Sequence, residues 1–261
     1  MDAIDAETAV TVESGNLMLA AGDGTTGADF SSDISMKGIK AGATITINGG
    51  TFDIQSTDDG LHSNDSILIN GGEFTIASGD DGIHADTDLI IENGTINIAT
   101  SYEGLESATI TINNGQISIV SSDDGINVAG GADGSGMNAG MGGGGGRNGG
   151  PGMEMFAETG DFNLYISGGT VYMNAGGDGL DSNGSITMTG ETAVVNGPTN
   201  DGNGVIDYMG LFSISGGILI AAGGSGMAQS PDGNSTQAVL LVYFDSTISA
   251  GTPVSLVNAS G

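Results

Sequence analysis

The chain has 261 residues, with 3 Lys plus Arg against 32 Asp plus Glu, a formal net charge of −29. That balance excludes nucleic acid and anionic membrane surfaces, which demand basic patches, and it favours cations as partners. Cysteine is absent, so disulfides cannot hold the fold, and no apolar run is long enough to span a bilayer.

Along the chain, the opening "MDAIDAETAV" carries neither a basic region nor a long apolar one. We read the chain as a mature, secreted or cell-surface form whose signal peptide is absent from it. Residues 1–36 precede the first clear repeat and are expected to cap one end of the fold. From residue 37 to 236 the sequence repeats itself. "ITINGGTFDIQSTDDGLHSNDS" starts at Ile45, "ILINGGEFTIASGDDGIHADTD" at Ile67, "LIIENGTINIATSYEGLESAT" at Leu89 and "ITINNGQISIVSSDDGINVAG" at Ile110. Further copies start at Leu164, Ile186 and Phe212.

A Gly-aliphatic step recurs at Gly38, Gly60, Gly82, Gly104, Gly125, Gly179, Gly204 and Gly226, mostly 22 residues apart. Within each copy the apolar residues alternate with Thr, Asn, Asp and Ser, the two-residue period of a strand. Turn glycines such as Gly50, Gly72, Gly94, Gly115 and Gly169 separate the strands and suit a positive φ. Repeats of this length with short β segments predict an all-β solenoid, a parallel β-helix of about eight coils. The pattern lacks the leucine and asparagine signature of leucine-rich repeats and the nine-residue period of a β-roll. A glycine- and methionine-rich insertion, about 129–160, reads as a loop. Residues 237–261 break the repeat and are expected to cap the second end.

Before each Gly-aliphatic step stand acids. The aligned coils place Asp58 and Asp59, then Asp80 and Asp81, Glu103 with Glu106, Asp123 and Asp124 with Asn127, and Asp178 with Asp181. Carboxylates stacked about 4.8 Å apart repel by about 3.5 kcal/mol at an effective dielectric near 20. Too few Lys or Arg exist to offset this, so Ca2+, which takes six to eight oxygens, is the expected counter-ion. An Asp-Asp-Gly turn capping its own backbone is the simpler alternative for any single copy. His62 and His84 follow two such steps and are expected on the surface or in hydrogen bonds. Tyr102, Tyr165 and Tyr172 are candidate platforms for a sugar ring.

The coils "NGGTFDIQSTDDGLHSND", "NGGEFTIASGDDGIHAD" and "SGGTVYMNAGGDGLDSNG" resemble the secreted bacterial carbohydrate-binding β-helix family of clostridia and similar bacteria. The resemblance covers roughly residues 30–255. It implies a right-handed parallel β-helix, calcium along one edge, and binding of plant cell-wall polysaccharide such as cellulose or polygalacturonate. The architecture is also similar to that of pectate lyases, whose Asp-Asp-Gly-x-Asp motif resembles Asp123–Asn127 and Asp58–His62. Those enzymes use a Lys or Arg base. Here Lys37 and Lys40 are expected at the wall's edge and Arg147 lies in the insertion, so a non-catalytic module is the leading reading. A calcium-dependent lyase, a two-carboxylate hydrolase and an adhesive scaffold remain the alternatives.

Overall fold

Alternating Ile, Val and Thr become strands wherever the sequence shows them, because a β-branched side chain suits a pleated surface buried on one face. The structure, a computed structural model, describes residues 1–22, 35–129 and 162–255. These form 22 strands in eight successive layers and no helix. The first layers are β1 (Ile4–Ala6), β2 (Ala9–Val12) and β3 (Asn16–Ala21), then β4 (Ile39–Ala41), β5 (Thr44–Ile47) and β6 (Thr51–Ser56). Next come β7 (Leu61–Ser63), β8 (Ser66–Ile69) and β9 (Glu73–Ser78). Two layers merge their first two strands: β10 (Ile83–Ile91) with β11 (Thr95–Ser101), and β12 (Leu105–Ile112) with β13 (Gln116–Ser121). The sixth layer holds β14 (Ile126–Val128), β15 (Asn163–Ile166) and β16 (Thr170–Ala175). The last two are β17 (Leu180–Ser182), β18 (Ser185–Met188) and β19 (Thr192–Asn196), then β20 (Ile206–Tyr208), β21 (Phe212–Ile214) and β22 (Ile218–Ala222).

Each strand pairs in parallel with its equivalent in the neighbouring layer, producing three files. The first runs β1-β4-β7-β10-β12-β14-β17-β20. The second, β2-β5-β8, joins it through β10 and β12 and continues through β15, β18 and β21, making one sheet of 14 strands. The third file is a separate sheet of eight strands, from β3 to β22. Strand β10 turns the corner between the first two files at a register shift between Ala85 and Asp88. This arrangement is solenoid-like.

Inward positions stack identical or similar side chains. Ile45, Ile67, Leu89, Ile110, Leu164, Ile186 and Phe212 form one buried column through the second file. Ile54, Ile76, Ile98, Ile119, Met173 and Val195 form its counterpart in the third. Phe52 and Phe74 stack with ring centroids 4.6 Å apart and planes 4° from parallel.

The ends differ from the expected caps. Residues 4–21 are a full layer, in register with the next one. Ala3 stands where the later layers have glycine, so the glycine frame passed over it. At the other end Gly226 opens no strand. Residues 232–236 instead cover the open edge of β21. Asp232 and Thr236 donate backbone N–H groups to the carbonyls of Phe212 and Ile214 at 2.8 and 3.0 Å. Asp232 Oδ2 and Ser235 Oγ accept the N–H groups of the same two residues. Beyond them, Leu240 and Tyr243 remain exposed. The insertion at 129–160, with Arg147, lies almost wholly outside the described residues, as does the end of the expected C-terminal cap. No helix of the described residues is long and apolar enough to cross a membrane.

Candidate functional site

The acidic steps all fall at the corner where the third file passes into the first. Stacking places them in register. The N–H groups of Gly38, Gly60, Gly82, Gly104 and Gly125 donate to the carbonyls of Asp59, Asp81, Glu103, Asp124 and Asp178 at 2.8–3.0 Å. Lys37, Asp59, Asp81, Glu103, Asp124 and Asp178 therefore form one column, layer by layer. The glycines beside them permit a close approach of layers: a Cβ on Gly82 would lie 2.6 Å from the carbonyl of Gly104. A second column, two residues past each glycine, reads Lys40, His62, His84, Glu106, Asn127 and Asp181, and ends at Asp207, two residues past Val205, which holds the glycine's place in the last layer where Gly204 was expected.

The top of the acidic column carries its own cation. Lys37 is buried and its Nζ bonds Asp58 Oδ1 at 2.8 Å and also Asp59 Oδ2. The expectation that both lysines stand apart at the wall's edge is thus corrected for Lys37. The repeat frame identified it only as the residue before a glycine; its column is occupied by acids in each of the next five layers. Burial alone would lower the Lys37 pKa, but the charges of Asp59 and Asp58 outweigh this and hold it above the ordinary lysine value. Asp59 is held well below the carboxylate range: burial opposes ionisation, yet the Lys37 ammonium and the His62 hydrogen bond win. Asp58 is pushed up, by burial and by Asp59, with Lys37 only partly offsetting them.

Next in the column the histidines take part. His62 and His84 are both buried, with rings stacked at 4.8 Å. The surface location is corrected and the hydrogen-bonding one holds. His62 Nδ1 meets Asp59 Oδ2 at 2.8 Å and its Nε2 meets Asn64 Oδ1 at 3.0 Å. His84 Nδ1 lies 2.7 Å from Glu106 Oε2 and 3.2 Å from Asp81 Oδ2, with Nε2 3.2 Å from Asp86. Burial would strip His84 of its proton; these three carboxylates hold it, raising its pKa.

Below His84 the column changes character. Glu103 and Asp124 are pushed well above the usual carboxylate range, first by burial. For Glu103 the charges of Glu106, Asp123 and Asp181 add to it; for Asp124 those of Asp181, Glu103, Asp123 and Asp178 do. Asp178, Asp181 and Asp207 each bring an oxygen within 4.8 Å of the others. Asp207 escaped the sequence reading because its layer lacks the Asp-Asp-Gly step. Asn127 Nδ2 donates to Glu103 Oε2 at 2.8 Å, while Asn127 Oδ1 is buried and accepts no hydrogen bond. A buried acceptor without a donor costs about 1–3 kcal/mol, and a cation would satisfy it. The lower column, built from oxygen donors alone, therefore fits Ca2+. The set Asp58, Asp59 and Asp80 also converges within 4.8 Å, but Lys37 already serves two of its members.

The aspartates also brace the fold. Asp59 Oδ1 accepts the N–H of Asp81 at 3.0 Å, Asp81 Oδ1 that of Glu103 at 3.3 Å, and Asp124 Oδ1 that of Asp178 at 2.6 Å. Each carboxylate thus caps the backbone of the layer below, not its own turn.

The three tyrosines do not share one face. Tyr102 is half-buried at the acidic corner, its N–H donating to the Asp80 carbonyl at 2.7 Å. Tyr165 and Tyr172 are exposed on the second and third files, flanking the turn at Gly168 and Gly169. Tyr172 Oη accepts a hydrogen bond from Asn196 at 2.9 Å.

Residues 1–82 and 80–125 match the model of a family described as carbohydrate-binding domain-containing protein. The matched part is the first 125 residues, just under half of the chain. No curated protein and no solved structure matches it. The family match supports carbohydrate as the partner.

Proposed function

We propose that this protein is a non-catalytic polysaccharide-binding module, secreted or held at the cell surface, built as a closed right-handed parallel β-helix with Ca2+ in its acidic column. The match to a carbohydrate-binding family over residues 1–125 carries the binding reading. The orphaned Oδ1 of Asn127 among Glu103, Glu106 and Asp181 supports the ion. Glu103, Asp123, Asp124, Asn127, Asp178, Asp181 and Asp207 would hold it; bound there, Ca2+ supplies positive charge that relieves their repulsion and can bridge to acidic sugars.

The non-catalytic reading draws on Lys37. A lyase of the pectate-lyase kind takes its proton with a neutral amine or guanidine. The Lys37 ammonium is buried against two carboxylates and stays charged, so it is no base at neutral pH. Cellulose and polygalacturonate are the glycans first in line. Retention on both, measured with and without Ca2+, tests the binding. An absorbance assay for unsaturated product on polygalacturonate tests the chemistry, and sustained turnover at trace protein would refute the non-catalytic reading.

A further inference from the structure

A second concave feature lies away from the acidic corner, where the second file turns into the third. Gly50, Gly72, Gly94, Gly115 and Gly169 follow one another there, each with φ between 96° and 136°. Side chains are strained in that conformation, so the floor is bare backbone across five layers. Over it runs an open groove of ≈ 820 Å³. Layer spacing of about 4.8 Å gives it a length of about 19 Å. One wall is a column of exposed side chains in register: Thr51, Glu73, Thr95, Gln116 and Thr170.

The lining ends at Gly169 and Thr170, and the layer beyond them is built differently. In the next layer the glycine position is taken by Glu191, at φ 88°, the one non-glycine residue with positive φ among the described residues. Its carbonyl accepts the Ile218 N–H as Gly94 accepts that of Gln116, which fixes the equivalence. Glu191 is 7% exposed and its Oε2 is buried without a partner. A strained conformation and an unsatisfied carboxylate oxygen are costly together, and such costs persist where a surrounding structure or a ligand repays them.

We propose that this groove binds a linear, uncharged glycan lying along the stack, with Glu191 closing one end. The inference rests on the carbohydrate-binding reading and gives it a place and a substrate class. Hydroxyls and amides that both donate and accept match sugar hydroxyls, and their repetition in four of the five layers, with Glu73 in the other, matches a repeating polymer. The bare floor lets a ring approach the backbone. Glu73 is the only charged residue among the described residues of the lining and no Lys or Arg is among them, which disfavours uronates. The site is separate from the acidic corner, so it needs no Ca2+.

Calorimetric titration with a graded series of cello-oligosaccharides tests this. Affinity should rise with chain length until the groove is filled and then level off, and should persist in chelator below the melting temperature. Thr95→Trp and Gln116→Trp, both on exposed positions, should each weaken binding at least tenfold, about 1.4 kcal/mol, with unchanged circular dichroism. Val120→Trp, on the same strand as Gln116 but outside the groove, should bind as the unaltered protein does. Equal binding by all variants overturns the groove while the carbohydrate reading stands. Binding of oligogalacturonates alone overturns the uncharged class. An unaltered protein that binds no glycan, soluble or insoluble, overturns both.

Discussion

Lys37 is the residue whose meaning changes most between sequence and structure. A lysine before a glycine is unremarkable in a chain, yet here it replaces the acid of the column and neutralises the first two aspartates. Lys37→Met should cost about 3–5 kcal/mol in chemical denaturation, because it strands buried carboxylates. Added Ca2+ should recover part of that loss, since the vacated rung then resembles the lower ones; a loss under about 1 kcal/mol would contradict the pairing. Glu191 gives a pH signature. Burial pushes its carboxyl from 4.5 up to about 7. Between those values the folded protein keeps a proton that the unfolded chain has released. Its contribution to stability is therefore full below 4.5 and falls as pH rises towards 7. Glu191→Gln should remove that slope, so the stability difference between the two proteins should widen across this window in melts taken at successive pH values. Neither role was legible beforehand: pairing across layers and a φ angle are not written in a residue's type.

At the scale of the element, the turn chemistry was legible and the reason for one glycine class was not. The turn glycines were expected at positive φ and are found there. The glycines of the Gly-aliphatic step answer a different demand, the carbonyl of the adjoining layer. For Gly82 a methyl group would meet both that carbonyl and Ile98 at 2.6 Å. Gly82→Ala should destabilise by about 1–3 kcal/mol as overpacking, whereas Gly233→Ala, with nothing within 4 Å, should be silent. Equal melting temperatures for the two variants would sink the argument. The first layer was missed for a related reason. Residues 4–21 alternate as the others do, but they lack the acidic glycine step by which the repeat announces itself.

Across the whole molecule the surplus charge acquires an internal polarity. Lys37, His62 and His84 hold the upper rungs, and the oxygen-only rungs lie below them. The sequence revealed the column because its register follows from the repeat; it could not reveal which rungs supply their own cation. An ion that binds only the folded state at a hundred times its Kd adds about 2.7 kcal/mol. Thorough chelation should therefore lower Tm. Asp124→Asn and Asp181→Asn should each shrink that Ca2+-dependent shift, and Asp58→Asn should leave it intact. A shift that responds equally to all three would mean that the column does not divide this way.

Layers that bond only to their neighbours also set how the molecule would yield under mechanical load. Held by its ends and pulled, such a stack gives way one layer at a time, since among the described residues the strands of each layer pair only with those of adjoining layers. Most repeats are 22 residues, and at about 3.4 Å per residue each rupture would lengthen the tether by roughly 75 Å. The chain between Gly125 and Gly179 is 54 residues, so one rupture should release roughly 180 Å. A ladder of equal extensions interrupted by a single long one would mark the passage of the sixth layer.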